Sequence, residues 1–122
     1  IQGFHQLPKS GKLLVITKSM KDVISLYSYG ITAIAPNSET QWISDKVLED
    51  LKSRFNHIVV MYDNDLPGIS NMNKIKKAHP ELDYFFIPRK YGCKDFSDLV
   101  EKYGRETVKN LIKEWIYGKK VD

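Results

Sequence analysis

Two kinds of apolar pattern alternate along the chain. Short unbroken runs of β-branched and aromatic residues, KLLVIT at 12–17, ITAIAP at 31–36, HIVVMYD at 57–63 and LDYFFIP at 82–88, are bounded by Gly, Pro, Asn or Asp. Runs of that length and composition predict strands buried on both faces. Between them the spacing changes to that of helices. The stretch 19–30 puts Met20, Val23, Ile24 and Tyr27 on one face and stops at Gly30, and 44–55 carries Val47, Leu48, Leu51 and Phe55 behind Ser44, an N-cap candidate. A third helix is expected from about Pro67 to Lys77, then a short one in KDFSDLVEKYG and a longer closing one over 105–118. The order β-α-β-α-β-α-β-α-α with short connections predicts an α/β fold, a central four-stranded, mostly parallel sheet flanked by helices. Nothing resembling a repeat, a low-complexity tract or a linker interrupts it, so 1–122 reads as a single domain with its core at about 12–104.

Composition narrows the class only a little. A chain of 122 residues that is 42% hydrophobic supports one core. The formal charge of +4 suits a polyanionic partner and equally suits a lysine-rich solvated surface, so charge permits nucleic acid without establishing it. Cys93 is the one cysteine, which excludes an internal disulfide and a multi-cysteine metal site. No apolar run approaches the roughly 20 residues that span a bilayer, and no signal peptide is visible. The expectation is a soluble, cytoplasmic domain with no membrane partner. Beginning at Ile1 rather than at methionine, the sequence is also expected to be a segment excised from a larger protein.

In a parallel, helix-flanked sheet, ligands sit beyond the carboxyl ends of the strands. The first predicted strand ends in Thr17-Lys18-Ser19 with Asp22 one turn on, the second in Pro36-Asn37-Ser38-Glu39, the third in Asp63-Asn64-Asp65, and the fourth in Pro88-Arg89-Lys90, followed by Lys94-Asp95 and Asp98. Asp63 and Asp65 at the mouth of one apolar strand repel each other unless a proton or cation lies between them, which points to a hard divalent metal such as Mg²⁺. Helix capping and turn chemistry are the plainer alternative for both, since DLPG is an ordinary turn sequence. For Asp22 and Asp95, capping and metal binding stand level. The segment PRKYGCK offers Arg89, Lys90 and Lys94 around Tyr91, a composition suited to phosphates and base stacking, or to a solvated loop. Lys74, Lys76 and Lys77 read as the wet face of a helix, Trp42 and Trp115 as packing residues, and Cys93 as a small buried or loop residue. His5, His57 and His79 lack metal-like spacing.

Three stretches, VITKSMKDVISLYSYGITAIAPNSE, VVMYDNDLPG and CKDFSDLVEKYG, resemble the signature regions of the toprim domain, the metal-binding catalytic domain of bacterial and phage primases, topoisomerases and some nucleases. The likeness runs from Leu13 to about Gly104 and is nearest the primase branch. Asp63 and Asp65 match its Asp-x-Asp motif, Gly68 the trailing glycine, Lys94 and Asp95 its Lys-Asp pair, and Asp22 the aspartate of the first motif. The resemblance implies Mg²⁺ or Mn²⁺ on Asp63 and Asp65 with Asp22 or Asp95, and catalytic roles for Asp22, Asp63, Asp65 and Asp95; Lys18 is expected to join them as a catalytic and nucleotide-binding cation, and the composition around Tyr91 adds Arg89, Lys90 and Lys94 as expected nucleotide or nucleic-acid contacts. It further implies metal-dependent nucleotidyl transfer in primer synthesis on a DNA template from nucleoside triphosphates. A fused or associated helicase and a template-binding domain would accompany it in a phage or mobile-element primase.

One departure matters. Alignment on Lys21-Asp22 puts Lys18 where the family has a glutamate, and Ser19 where it has glycine. Lys18 then takes over transition-state work as a cation beside the carboxylates, or the domain binds nucleic acid or metal without catalysing, or Lys18 faces solvent. Since the ends of the first and third strands are neighbours in such sheets, Lys18 is expected within a few ångströms of the Asp63 carboxylate. A phosphoacceptor receiver domain, another α/β fold with an aspartate ending its third strand, ranks last because it expects an acidic pair where this chain has Thr17 and Lys18.

Overall fold

The computed structural model describes residues 7–36, 43–93 and 95–117. Asn37, Ser38, Glu39, Trp42, His5 and Lys94, all named above, lie outside the described residues. Strand β1 (Gly11–Thr17) leads to α1 (Met20–Tyr27), β2 (Ala33–Ile34), α2 (Asp45–Arg54), β3 (Phe55–Met61), α3 (Leu66–Ala78), β4 (Asp83–Phe85), α4 (Phe96–Tyr103) and α5 (Arg105–Ile112). A 3₁₀ turn at Arg89–Tyr91 precedes α4, and a π-helical turn at Lys113–Tyr117 follows α5, so the expected closing helix changes its winding at Lys113. The sheet order is β2-β1-β3-β4, and every pairing is parallel. No helix among the described residues is long and apolar enough to cross a membrane.

The strand runs read as unbroken because both faces are covered. Leu13 and Val15 of β1 and Val59 and Met61 of β3 face one layer, packed with Val23 and Leu26 of α1, Phe96 and Leu99 of α4, and Val108 and Ile112 of α5. Their sequence neighbours Leu14, Ile16, Ile58 and Val60 face the other layer, against Leu48 and Leu51 of α2 and Met72 and Ile75 of α3. Successive side chains of a strand point to opposite faces, so two apolar layers require apolar residues at every position. The edge strands are shorter than expected, because β2 pairs only through Ala33 and Ile34 and β4 only through 83–85. Ile24, placed on the buried face of the first helix by its spacing, is instead exposed, and the buried stripe of α1 is Asp22, Val23 and Leu26.

The strand order creates a switch point. From β1 the chain crosses through α1 to β2 on one side, whereas from β3 it crosses through α3 to β4 on the other. The carboxyl ends of β1 and β3 therefore diverge around a crevice, the location that open α/β sheets use for ligands. Each helix that begins at this edge is capped by a side chain from the strand-to-helix loop. Ser19 accepts from the Asp22 N–H, Asp65 from the Gly68 N–H and Asp95 from the Asp98 N–H.

Gly68 fixes how closely α3 approaches the end of β3. A Cβ added there would overlap the backbone carbonyl of Asp63 and lie 3.0 Å from Asp65 Oδ1. Because the first obstacle is backbone, relief requires moving the loop that carries Asp63. We predict that Gly68→Ala costs about 1–3 kcal/mol in urea denaturation, the usual range for forcing atoms into a packed site, while Ser70→Ala on the exposed side of α3 is close to neutral. Equal stability of the two variants would refute the close approach.

Candidate metal centre

The crevice is built from residues just past the β1–β3 ladder. Thr17 pairs with Met61, so Lys18 and Asp63 leave the sheet as near neighbours. As the strand topology leads one to expect, Lys18 Nζ donates to Asp63 Oδ2 at 2.9 Å, with side chains 21% and 6% exposed. Asp22, in the first turn of α1, is 2% exposed. Its Oδ1 accepts from the Ser97 hydroxyl at 2.7 Å and the Ser97 N–H at 3.0 Å, and its Oδ2 accepts from the Thr17 hydroxyl at 3.3 Å. Asp95 enters from the other side of the crevice as the N-cap of α4, with Oδ1 accepting from the Asp98 N–H at 2.8 Å and Oδ2 lying 3.9 Å from Lys21 Nζ. One carboxylate oxygen from each of Asp22, Asp63 and Asp95 lies within 4.8 Å of the others.

That crowding has an electrostatic signature. Burial pushes the Asp22 carboxyl above its ordinary value of 3.8; the Ser97 hydrogen bonds oppose the shift, and the charges of Asp95 and Asp63 add to it. Burial likewise raises Asp63, where the hydrogen bond and charge of Lys18 oppose the shift and Asp95 and Asp65 reinforce it. Lys18 therefore does not fully offset the desolvation and repulsion of the group it touches. Three hard oxygen donors at this spacing fit a divalent cation of the Mg²⁺ or Mn²⁺ type, which would relieve the repulsion directly.

The other residues singled out by the sequence are distributed around this centre. Asp65 lies outside the three-carboxylate group, with Oδ1 held at 2.8 Å from the Gly68 N–H as the cap of α3. Arg89 and Lys90 occupy the 3₁₀ turn after β4, and Arg89 lines a recess of about 260 Å³ with Asn64, Gly92 and Cys93 at the same sheet edge. Tyr91 is a packing residue, its ring set edge-on to Tyr103 at 5.6 Å and to Trp115 at 5.2 Å. Trp115 also stacks on Phe85, in keeping with a packing role. Cys93 is buried, and burial pushes its thiol up, away from a reactive thiolate. Two contributors were not singled out by the sequence. Ser97 braces Asp22 across the α1–α4 contact, and Asn64 ties the ends of β3 and β4 by donating from Nδ2 to the Ile87 carbonyl at 2.7 Å. The signal available for Ser97 was its place in the first turn of the helix that Asp95 opens.

A raised carboxyl has a defined effect on stability. In the fold, Asp22 keeps its proton at pH values where the unfolded chain has released it, so its contribution is fully present below the unfolded value and is lost as pH rises through the folded one. Asparagine does not titrate, can accept both Ser97 bonds on Oδ1, and can donate from Nδ2 to Thr17. We predict that, in chelator, Asp22→Asn gains stability relative to the parent as pH rises from about 3.5 to about 7, with urea denaturation at each pH as the measurement. A difference independent of pH would contradict the raised value.

The sequence matches the Toprim-like family over residues 15–100, from within β1 into α4, a span that includes Lys18, Asp22, Asp63, Asp65 and Asp95. No curated protein matches it. Among solved structures, the fold is similar to the DnaG primase catalytic domain bound to ssDNA, with TM-score 0.65 and 24% identity, covering 92% of this chain and 38% of that one. It is also similar to the E. coli primase catalytic core, with TM-score 0.61 and 24% identity over 86% of this chain and 34% of that one. A third similar chain comes from a bacteriophage T7 assembly in which the lagging-strand DNA polymerase interacts with primase domains of two gp4 subunits bound to an RNA/DNA hybrid and dTTP. There the TM-score is 0.60 at 15% identity, with 90% of this chain and 56% of that one covered. The chain thus spans little more than a third of the length of the two primase cores. At these identities the structural likeness is one of fold, a parallel α/β sheet of the kind found in primase catalytic cores. Since the family match extends over well more than half of its length, the chain belongs to the Toprim-like family.

Proposed function

We propose that this chain is the toprim catalytic module of a DNA primase, supporting metal-dependent nucleotidyl transfer in primer synthesis for DNA replication. The observation that carries the reading is the convergence of Asp22, Asp63 and Asp95, beside Lys18, at the switch point of a toprim-like sheet. These three carboxylates would hold Mg²⁺ or Mn²⁺, with Asp22 the most firmly braced of them. When bound, the ion supplies neutralisation of charge on the phosphate oxygens of a nucleoside triphosphate. Lys18, held beside Asp63, has an ammonium at the rim of the same crevice and would meet negative charge developing on a phosphate in the transition state. Asp65 acts through α3, whose first turn it caps, and so sets the loop that carries Asp63. Arg89, Lys90 and Lys94 would hold the phosphate backbone of single-stranded DNA. In this reading the module works inside a bacterial or phage-infected cell, with a template-binding domain and a fused or associated helicase as partners.

A second reading is favoured by one contact. Lys18 already pairs with Asp63 where related domains carry an acid, which suits a module that binds metal or DNA without catalysing. The two readings separate in one experiment. With Mn²⁺, nucleoside triphosphates and a single-stranded template, the protein should make primer, and Asp63→Asn should abolish synthesis and weaken Mn²⁺ binding about tenfold or more by calorimetry. Asp65→Asn, which preserves a capping side chain, should leave Mn²⁺ affinity intact. Unchanged metal affinity in Asp63→Asn removes the centre as described, and a parent that binds Mn²⁺ and DNA yet makes no primer selects the binding module.

The DNA surface is tested by salt. Each phosphate contact to a single strand contributes a slope of about 0.7 in log K against log salt. We predict that a variant with Arg89, Lys90 and Lys94 all changed to alanine binds single-stranded DNA more weakly, with a shallower slope by roughly 2 units if all three make contacts. Parental affinity and slope in that variant would discard this surface.

A further inference from the structure

Formal charge around the crevice distinguishes a one-ion centre from a two-ion centre. Asp22, Asp63 and Asp95 bring three carboxylates within 4.8 Å of one another, and Lys18 answers one of them at 2.9 Å. Asp65 lies outside this group of three, with its Oδ1 held at 2.8 Å from the Gly68 N–H at the start of α3. Lys21 Nζ lies 3.9 Å from Asp95 Oδ2 with its side chain 63% exposed, so water and salt screen that pair. Among the described residues, these three carboxylates and the Lys18 ammonium leave two negative charges, which a single divalent cation cancels. A second divalent ion would leave two positive charges in excess among buried walls, at a cost that low dielectric magnifies. The ammonium differs from a hydrated ion in one further respect. It is carried by the residue next to the β1–β3 ladder, so the fold tethers it at the crevice and it cannot diffuse away.

We propose that Lys18 is a tethered cation standing in place of a second metal ion, so that the nucleotide-free crevice takes one divalent cation rather than two. This rests on the metal-binding reading of the same carboxylates. A further ion enters only with the added negative charge of a phosphorylated substrate. Lys18 also opposes the ion that does bind, because both positive charges share Asp63. Removing the ammonium therefore tightens the first ion, and replacing it with a carboxylate makes room for a second.

The test counts Mn²⁺ on the 122-residue chain without nucleotide, using the paramagnetic resonance of free Mn²⁺ for stoichiometry and calorimetry for affinity. The parent is expected to bind one ion. Lys18→Met should bind it about tenfold or more tightly, and Lys18→Glu should bind two. Lys18→Gln retains an N–H donor for Asp63 without the charge, so it should follow Lys18→Met if charge is what matters, and it carries the test should the methionine variant fail to fold. Two ions on the parent, or no tightening in the uncharged variants, overturns the inference while leaving the metal centre standing. A parent that binds no Mn²⁺ overturns the metal reading, and this inference falls with it.

Discussion

Parallel pairing of β1 with β3, in register from Gly11 opposite Phe55 to Thr17 opposite Met61, sets the position of every group in the crevice. The ladder ends one residue before Lys18 and two before Asp63, and beyond it the two chains turn to opposite sides of the sheet. A one-residue slip would exchange the layers faced by Leu13 and Leu14, or by Val59 and Val60, and bury the wrong side chains against the helices. The apolar pattern that specifies the register therefore also specifies the distance between Lys18 and Asp63. Core and chemistry are coupled through backbone geometry alone.

Gathering carboxylates at one place needs compensation, and the fold supplies it from three helix starts. Asp65 caps α3 and Asp95 caps α4, while Asp22, in the first turn of α1, accepts from the Ser97 N–H in the first turn of α4, so each carboxylate meets an N–H at the positive end of a helix dipole. This compensation is partial. Asp22 and Asp63 remain raised, chiefly by burial, with the neighbouring carboxylates adding to the shift even with Lys18 in place.

Local features of the sequence made the fold legible. Unbroken apolar runs marked β1 and β3 because two covered faces leave no polar alternation to blur them, and Ser19 and Ser44 marked helix starts through capping chemistry. The edge strands were overread, since among the described residues β2 and β4 each show one neighbour in the sheet and their apolar residues run on past the ladder. Within the centre, Asp63 and Asp65 looked paired because they are two residues apart. Sequence separation carries no information on where the turn aims each side chain, and the turn directs Asp65 into the first turn of α3. Asp95 reaches Asp63 from 32 positions away, a neighbour that only the sheet order supplies. Ser97 was legible only as a residue of the first turn that Asp95 opens, because its contact with Asp22 depends on α1 packing against α4.

Capping and metal binding were set against each other for these aspartates, yet a carboxylate has two oxygens and the roles combine. Asp95 uses Oδ1 for the Asp98 N–H, which fixes the side-chain torsion and so aims Oδ2. In the proposed metal centre the cap would thus restrict a ligand before any ion arrives, lowering the entropy lost on binding. Asp22 represents the other extreme, with both oxygens already bonded and the group almost fully enclosed. Its charge adds to the field that draws a cation, while its hydrogen bonds hold the starts of α1 and α4 together. Asp63 lies between them, held by a lysine whose ammonium can swing on a flexible stem. In the proposed metal centre the three carboxylates would form a graded set, from rigid support at Asp22 through an oriented ligand at Asp95 to an exchangeable partner at Asp63, with exchange of partners concentrated where Lys18 can respond to it.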